Sequence, residues 1–134
     1  METNIIEKKA RGFAGLIENV VDPLNKNPKF KEQFKNKKRK FLINASNLTY
    51  AALITIHNGK VIIESVKNKP QSNLKKKILG WDGYISMSSQ IFLAFAMDKI
   101  SLINIGIKWL TRKVKIKGLT KMVTLLKVFN LLKD

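Results

Sequence analysis

Residue types that carry acid–base or nucleophilic chemistry are scarce in this chain. Its 134 residues include one histidine, His57, and no cysteine. A general acid or base works only with a partner within hydrogen-bond reach. Glu64 lies across an expected hairpin from His57 and Asp82 opens a later strand. Neither forms with its sequence neighbours an acid–base pair, a zinc-ligand spacing or a nucleophile triad. A glycine-rich phosphate loop is absent. The lack of cysteine removes disulfides, thiolate nucleophiles and thiolate metal sites, and agrees with a cytoplasmic location. The sequence therefore predicts a protein that is not an enzyme, with no cofactor and no metal, and with His57 as a rim residue at a turn.

Positive charge is the chemistry the chain has in excess. Twenty-six Lys and Arg against nine Asp and Glu give a formal charge of +17. Such a field attracts phosphate, in nucleic acid or in lipid headgroups. Three clusters carry it: KNKKRK at 35–40, KKK at 75–77 and RKVKIK at 112–117. Lys37, Lys38, Arg39, Lys75, Lys76, Lys77, Lys113 and Lys115 are the candidate contacts to an anionic membrane surface, where each cation contributes about 1 kcal/mol. A basic nucleic-acid-binding module is the alternative. Against it, aromatic residues do not alternate with the lysines as a stacking platform needs. Phe30, Phe34, Phe41 and Trp109 fit core or rim positions by periodicity, and the scarcity of arginine disfavours bidentate base reading. For any single cluster, a solvated surface with no specific partner remains open.

These residues must be positioned by elements, and the hydrophobic period supplies them. The opening METNIIEKKARGFAGLIENVV lacks the uninterrupted apolar stretch of a secretory signal and predicts an amphipathic helix over 4–21, ending before Pro23. A second helical piece starts at Pro28 and sets Phe30 and Phe34 one turn apart. A strand follows at 40–46. Asn58-Gly59 then joins two β-rich runs, the pattern of a two-residue hairpin turn. Residues 67–80 read as a loop, 82–88 as a fourth strand and 113–117 as a fifth. Ser88 or Ser89 caps a helix over about 89–98, Ser101 caps a further short helix, and a terminal helix follows Gly118.

Residues 91–110 approach the length of a membrane span but include Asp98, Lys99 and Lys108, each costing about 3 kcal/mol at a bilayer centre. Two short helices are the better reading.

In RKVKIKG the period of two sends Lys113, Lys115 and Lys117 to one face and Val114 and Ile116 to the other. The expected cover of the dry face is the terminal helix, with Leu119, Met122, Leu125, Leu126, Phe129 and Leu132 on its docking arc. Val123, Val128 and Leu131 fall outside that arc. IFLAFAM, at 91–97, is apolar all round and needs covering on every side. Two readings of this apolar surplus stay open: a filled core or dimer contact, or a surface that lines a pocket for an apolar ligand or touches a bilayer.

The string DGYISMSSQIFLAFAMDKI, followed by RKVKIKG and an apolar helix, resembles the sterol carrier protein type-two lipid-transfer family. The matching residues are Asp82, Ile85, Met87, Ser88, Phe92, Leu93, Lys99, Ile100, Lys115, Ile116, Lys117 and Gly118, and the likeness spans about residues 40–134. Asp98 replaces the family's usual glycine and Arg112 its usual small residue, which alters the mouth of any pocket.

The resemblance implies an α+β fold, one five-stranded mixed sheet with helices packed on one face and an apolar tunnel between the layers. Family members hold fatty acyl chains, phospholipids or sterols there without chemistry. Carried onto this sequence, the wall residues are Phe92, Phe95, Ala96, Ile103, Ile107, Met122, Leu126 and Phe129. Residues 1–134 are expected to form one lipid-binding domain, with a helical part at 1–39 and the sheet with its covering helices at 40–134. Its other sheet face is expected to meet water.

Overall fold

The computed structural model describes residues 6–7, 9–10, 12–96 and 114–131. In chain order the elements are β1 (Ile6–Glu7), α1 (Phe13–Val21), a 3-10 turn (Asp22–Lys26), α2 (Pro28–Gln33), β2 (Lys38–Ala45), β3 (Tyr50–His57) and β4 (Lys60–Lys67). A second 3-10 turn (Gln71–Leu74), α3 (Lys76–Leu79), β5 (Gly83–Met87), α4 (Ser89–Ala96), β6 (Lys115–Lys117) and α5 (Leu119–Leu131) complete the described chain.

The strands form one mixed sheet in the order β1-β4-β3-β2-β5-β6. Only β2 and β5 run parallel; every other pair is antiparallel. The α+β class holds, but the sheet has six strands rather than five. The extra strand is β1, which takes its pairing from β4 through Ile6↔Val66 and Glu7↔Ser65. It displaces the start of the expected first helix, so α1 begins at Phe13. Gly12 stands before it at φ 53°, a left-handed conformation that glycine adopts without a Cβ penalty.

Local signals in the sequence explain most boundaries. Asn58 (φ 52°) and Gly59 (φ 76°) form the tip of the β3–β4 hairpin, with positive φ at both central positions. Pro28 occupies the first turn of α2, and the Asn27 side chain caps it by accepting from Phe30 N at 3.1 Å. Ser88 Oγ accepts from Ile91 N at 3.3 Å and caps α4. Residues Lys38 and Arg39 belong to β2 rather than to the preceding helical piece.

Alternation along the strands separates two faces. On the first, Phe41, Ile43, Ala52, Ile54, Ile63 and Ile85 meet Phe13, Ile17 and Val21 of α1 with Leu24, Phe30 and Phe34. Phe13, Ile17 and Val21 recur every fourth residue and so share one side of their helix. The α5 helix closes this layer with Leu125, Val128 and Leu131, while Val123 and Lys121 face solvent. This corrects the docking arc expected for α5, because Val128 and Leu131 turn inward beside Leu125. Burying each such large apolar side chain contributes about 1.5–3 kcal/mol.

The second face was expected to meet water, but it carries a smaller core of its own. Leu42, Ala51, Leu53, Val66 and Tyr84 on the sheet are covered by Leu74, Leu79 and Trp81. The cover is the segment read as a loop, which folds into the second 3-10 turn and α3. Helical elements thus lie on both faces, the longer ones on the first. Strand β2 shows why: Phe41 to Ala45 are all buried, so neither side of that strand faces water.

Candidate functional site

Gly118, at φ 68°, turns the chain from β6 into α5. A Cβ at this position would run into the Asp82 carbonyl oxygen and lie 3.2 Å from Gly83 Cα. The glycine therefore serves both the left-handed turn and the close approach of two backbones. The turn lays α5 over the first face, against β5, β6 and α2. A further tie holds the far end of α5, where Asn27 Nδ2 donates to the Leu131 carbonyl oxygen at 3.3 Å.

Of the eight candidate wall residues, only the Phe92 side chain is described. It is 1% exposed and belongs to the first-face core, with its ring edge-on to Phe13 at 5.4 Å between centroids. The backbones of Phe95 and Ala96 lie in α4, and those of Met122, Leu126 and Phe129 in α5. Their side chains, and the whole of Ile103 and Ile107, fall outside the described residues. So do Lys113, Trp109, the expected helix break at 98–101 and its Ser101 cap.

Most of the described candidate cations fall in two regions. In the first, Lys37 and Arg39 line a cleft of about 490 Å³ with Phe34, Gln33, Thr124 and Lys127. The Lys37 Nζ stands 5.9 Å from the Phe34 ring centroid, and exposed Lys38 begins the adjoining strand.

The second region lies on the opposite face of the sheet. There Lys75, Lys76 and Lys117 line a cleft of about 470 Å³ with Trp81, Tyr84 and Leu74. The Trp81 and Tyr84 rings stack at 5.5 Å with 27° between planes. Lys76 Nζ is 6.0 Å from the Trp81 centroid and Lys117 Nζ is 5.9 Å from the Tyr84 centroid. Trp81 Nε1 donates to the Leu74 carbonyl oxygen at 2.8 Å, which fixes the indole under the turn that covers it. Lys77 is exposed on the same short helix.

A smaller polar cleft of about 330 Å³ adjoins this one through their shared Gln71, with Lys69 and Lys115 at its edge. Its floor is a chain of amides: Asn68 Nδ2 donates to Asn44 Oδ1 at 2.9 Å, and Asn44 Nδ2 donates to Ser86 Oγ at 3.2 Å. Tyr84 and Trp81 are what sequence reasoning missed here. Their signal was the large apolar residues Leu74 and Leu79 within a segment taken for a loop, with Trp81 directly after it.

The titratable residues singled out for chemistry are apart. His57 is exposed at the hairpin and opposes Lys38 and Lys60, not a carboxylate. Asp82 accepts from the backbone N of Lys40 at 2.9 Å, a bond that joins the start of β5 to β2. Glu64 opposes Leu53 in the middle of the sheet.

Comparison with known proteins adds the following. No family model matches the chain, and no curated protein matches it by sequence. Among solved structures, Sterol Carrier Protein 2 from Yarrowia lipolytica, in its apo form, aligns with a TM-score of 0.56 and 12% identity. That alignment covers 99% of this chain and 97% of the other. A protein described as UbiJ-SCP2 Ubiquinone synthesis protein aligns with a TM-score of 0.59 and 5% identity, over 92% of this chain and 90% of its own. The sec-alkylsulfatase Pisa1 from Pseudomonas sp. matches with a TM-score of 0.55 and 17% identity, over 75% of this chain but 14% of the enzyme. At these identities the likeness is one of fold, and the fold is that of sterol carrier protein 2.

Proposed function

We propose that this chain is a non-enzymatic lipid carrier that holds an acyl, phospholipid or sterol-like molecule between its first-face helices and the sheet. The observation that carries this reading is the sterol-carrier-like fold over nearly the whole chain. It is supported by the apolar sequence of α4 and by α5, which Gly118 folds back over the first face. Transfer of an acyl chain out of water supplies about 0.8 kcal/mol per buried methylene, enough for useful affinity with few polar contacts.

The wall of the site would come from Phe95, Ala96, Ile103, Ile107, Met122, Leu126 and Phe129. Phe92 takes a supporting role, because its ring is already packed against Phe13. The cationic surface would bring the carrier to an anionic membrane, with the charge acting over roughly 10 Å at ordinary salt. Among the described residues, no helix is long and apolar enough to cross a membrane.

Two other activities fit less well. The likeness to the alkylsulfatase involves a small share of that enzyme, so its chemistry is not transferred to this chain. The aromatic rings beside the cleft lysines are unsuited to stack on bases, since Trp81 and Tyr84 are 7% and 6% exposed and stack on each other.

Titration with a fluorescent fatty acid tests the proposal. Saturable uptake, weakened at least tenfold by Leu126→Asp or Ile107→Asp in variants that still unfold cooperatively, is expected. Absence of uptake by the unmodified chain would refute it.

A further inference from the structure

The second-face cleft has no part in the apolar site proposed above. It is concave, lies on the other side of the sheet from α1, α4 and α5, and among the described residues its lining has three ammonium groups and no carboxylate. Its lysines come from two separate chain segments. Lys75 and Lys76 belong to the covering turn, and Lys117 belongs to β6, where it opposes Tyr84. Two of them stand near the stacked aromatic pair, Lys76 over the Trp81 ring and Lys117 over the Tyr84 ring. Both lysines line the same cleft with Lys75, and a concentration of ammonium groups in a concave site attracts phosphate.

One neighbour distinguishes a membrane-borne phosphate from a soluble one. Ile78 is 48% exposed, although Leu79 beside it is 3% exposed and anchors the covering turn to the sheet. The short α3 helix thus presents an aliphatic side chain to solvent directly after the exposed Lys75, Lys76 and Lys77. An exposed aliphatic residue that follows a run of lysines is suited to enter the headgroup layer of a bilayer while the cations meet phosphates.

We infer that the cleft between Lys76 and Lys117 binds the phosphate headgroup of an anionic membrane lipid, with Ile78 inserted beside it. The second face is then the side that docks on the membrane. This deepens the membrane-contact part of the reading above and is independent of whether an acyl chain enters the first-face interior.

Vesicle co-sedimentation tests the inference, comparing phosphatidylcholine vesicles containing phosphatidylserine with phosphatidylcholine alone. Lys76→Gln with Lys117→Gln is predicted to weaken binding to the anionic vesicles roughly 30-fold. The control pair Lys31→Gln with Lys127→Gln removes the same charge from exposed positions on α2 and α5, which pack on the opposite side of the sheet. It is predicted to weaken binding less than about threefold, since those helices lie on the face turned away from the docked surface and salt screens their charge. Ile78→Asp should weaken it by roughly tenfold or more. All five positions are exposed, so thermal midpoints should hold for each variant.

Equal losses from the two lysine pairs would overturn the inference in favour of unspecific attraction. Displacement by glycerol phosphate with no effect of Ile78→Asp would overturn it in favour of a soluble phosphate ligand. Single-stranded DNA that outcompetes the anionic vesicles would overturn it in favour of nucleic acid. Loss of fatty-acid uptake with vesicle binding intact would refute the carrier reading and leave this inference standing.

Discussion

Lys117 Nζ stands 5.9 Å from the centroid of the Tyr84 ring, its direct partner across the β5–β6 ladder. The pair joins the last strand of the sheet to the aromatic stack on the second face. It also lies one residue before Gly118, where the chain departs for the first face. The same short segment thus positions a cation on one side of the sheet and a covering helix on the other.

Gly118→Ala should destabilise the fold by at least about 2 kcal/mol, because φ of 68° disfavours a Cβ and the Asp82 carbonyl blocks it. Urea unfolding measures this. An unchanged midpoint would mean that the turn relaxes at no cost, and that the glycine is not what directs α5.

Phe92→Ala should cost about 3–5 kcal/mol in the same assay, the usual penalty for truncating a buried aromatic residue. A loss below about 1 kcal/mol would indicate that Phe92 borders open space, and would return it to the list of wall residues.

Much of this arrangement was legible in the chain, and the reasons differ by element. The hairpin was readable because Asn58-Gly59 tolerates positive φ at both central positions. Pro28, Ser88 and Gly118 marked their boundaries by equally local chemistry. The edge strand β1 was not readable, since two residues paired to distant β4 leave no period to detect. The second-face core was missed for another reason. Leu42 and Tyr84 fall where simple alternation predicts a solvent side, and only the unbroken apolar run in β2 showed that both faces are covered. Most of the candidate wall was named from resemblance, and Phe92 alone among it has a described side chain, packed in the core.

Trp81→Phe keeps the stacking surface but removes the donor to the Leu74 carbonyl. A loss of about 1–3 kcal/mol is expected, as for a buried acceptor left unpaired. Hydrogen exchange should show faster exchange across residues 71–80 than across β3. Uniform acceleration across the sheet would contradict a local role for this bond.

Asn68→Ala removes one amide that donates to Asn44 Oδ1 and to the Leu48 carbonyl oxygen, each at 2.9 Å. The expected loss is about 1–3 kcal/mol by thermal unfolding. Ile62→Thr, at an apolar residue 54% exposed, serves as the contrast and should stay within about 0.5 kcal/mol. Equal effects at the two sites would mean that the amide chain contributes nothing specific.

Native mass spectrometry of the full chain, purified without detergent, tests the carrier reading most directly. The account predicts a population heavier than the bare polypeptide by the mass of one lipid, released on denaturation. A single lipid-free mass that stays unchanged after incubation with fatty acids and phospholipid vesicles would contradict it.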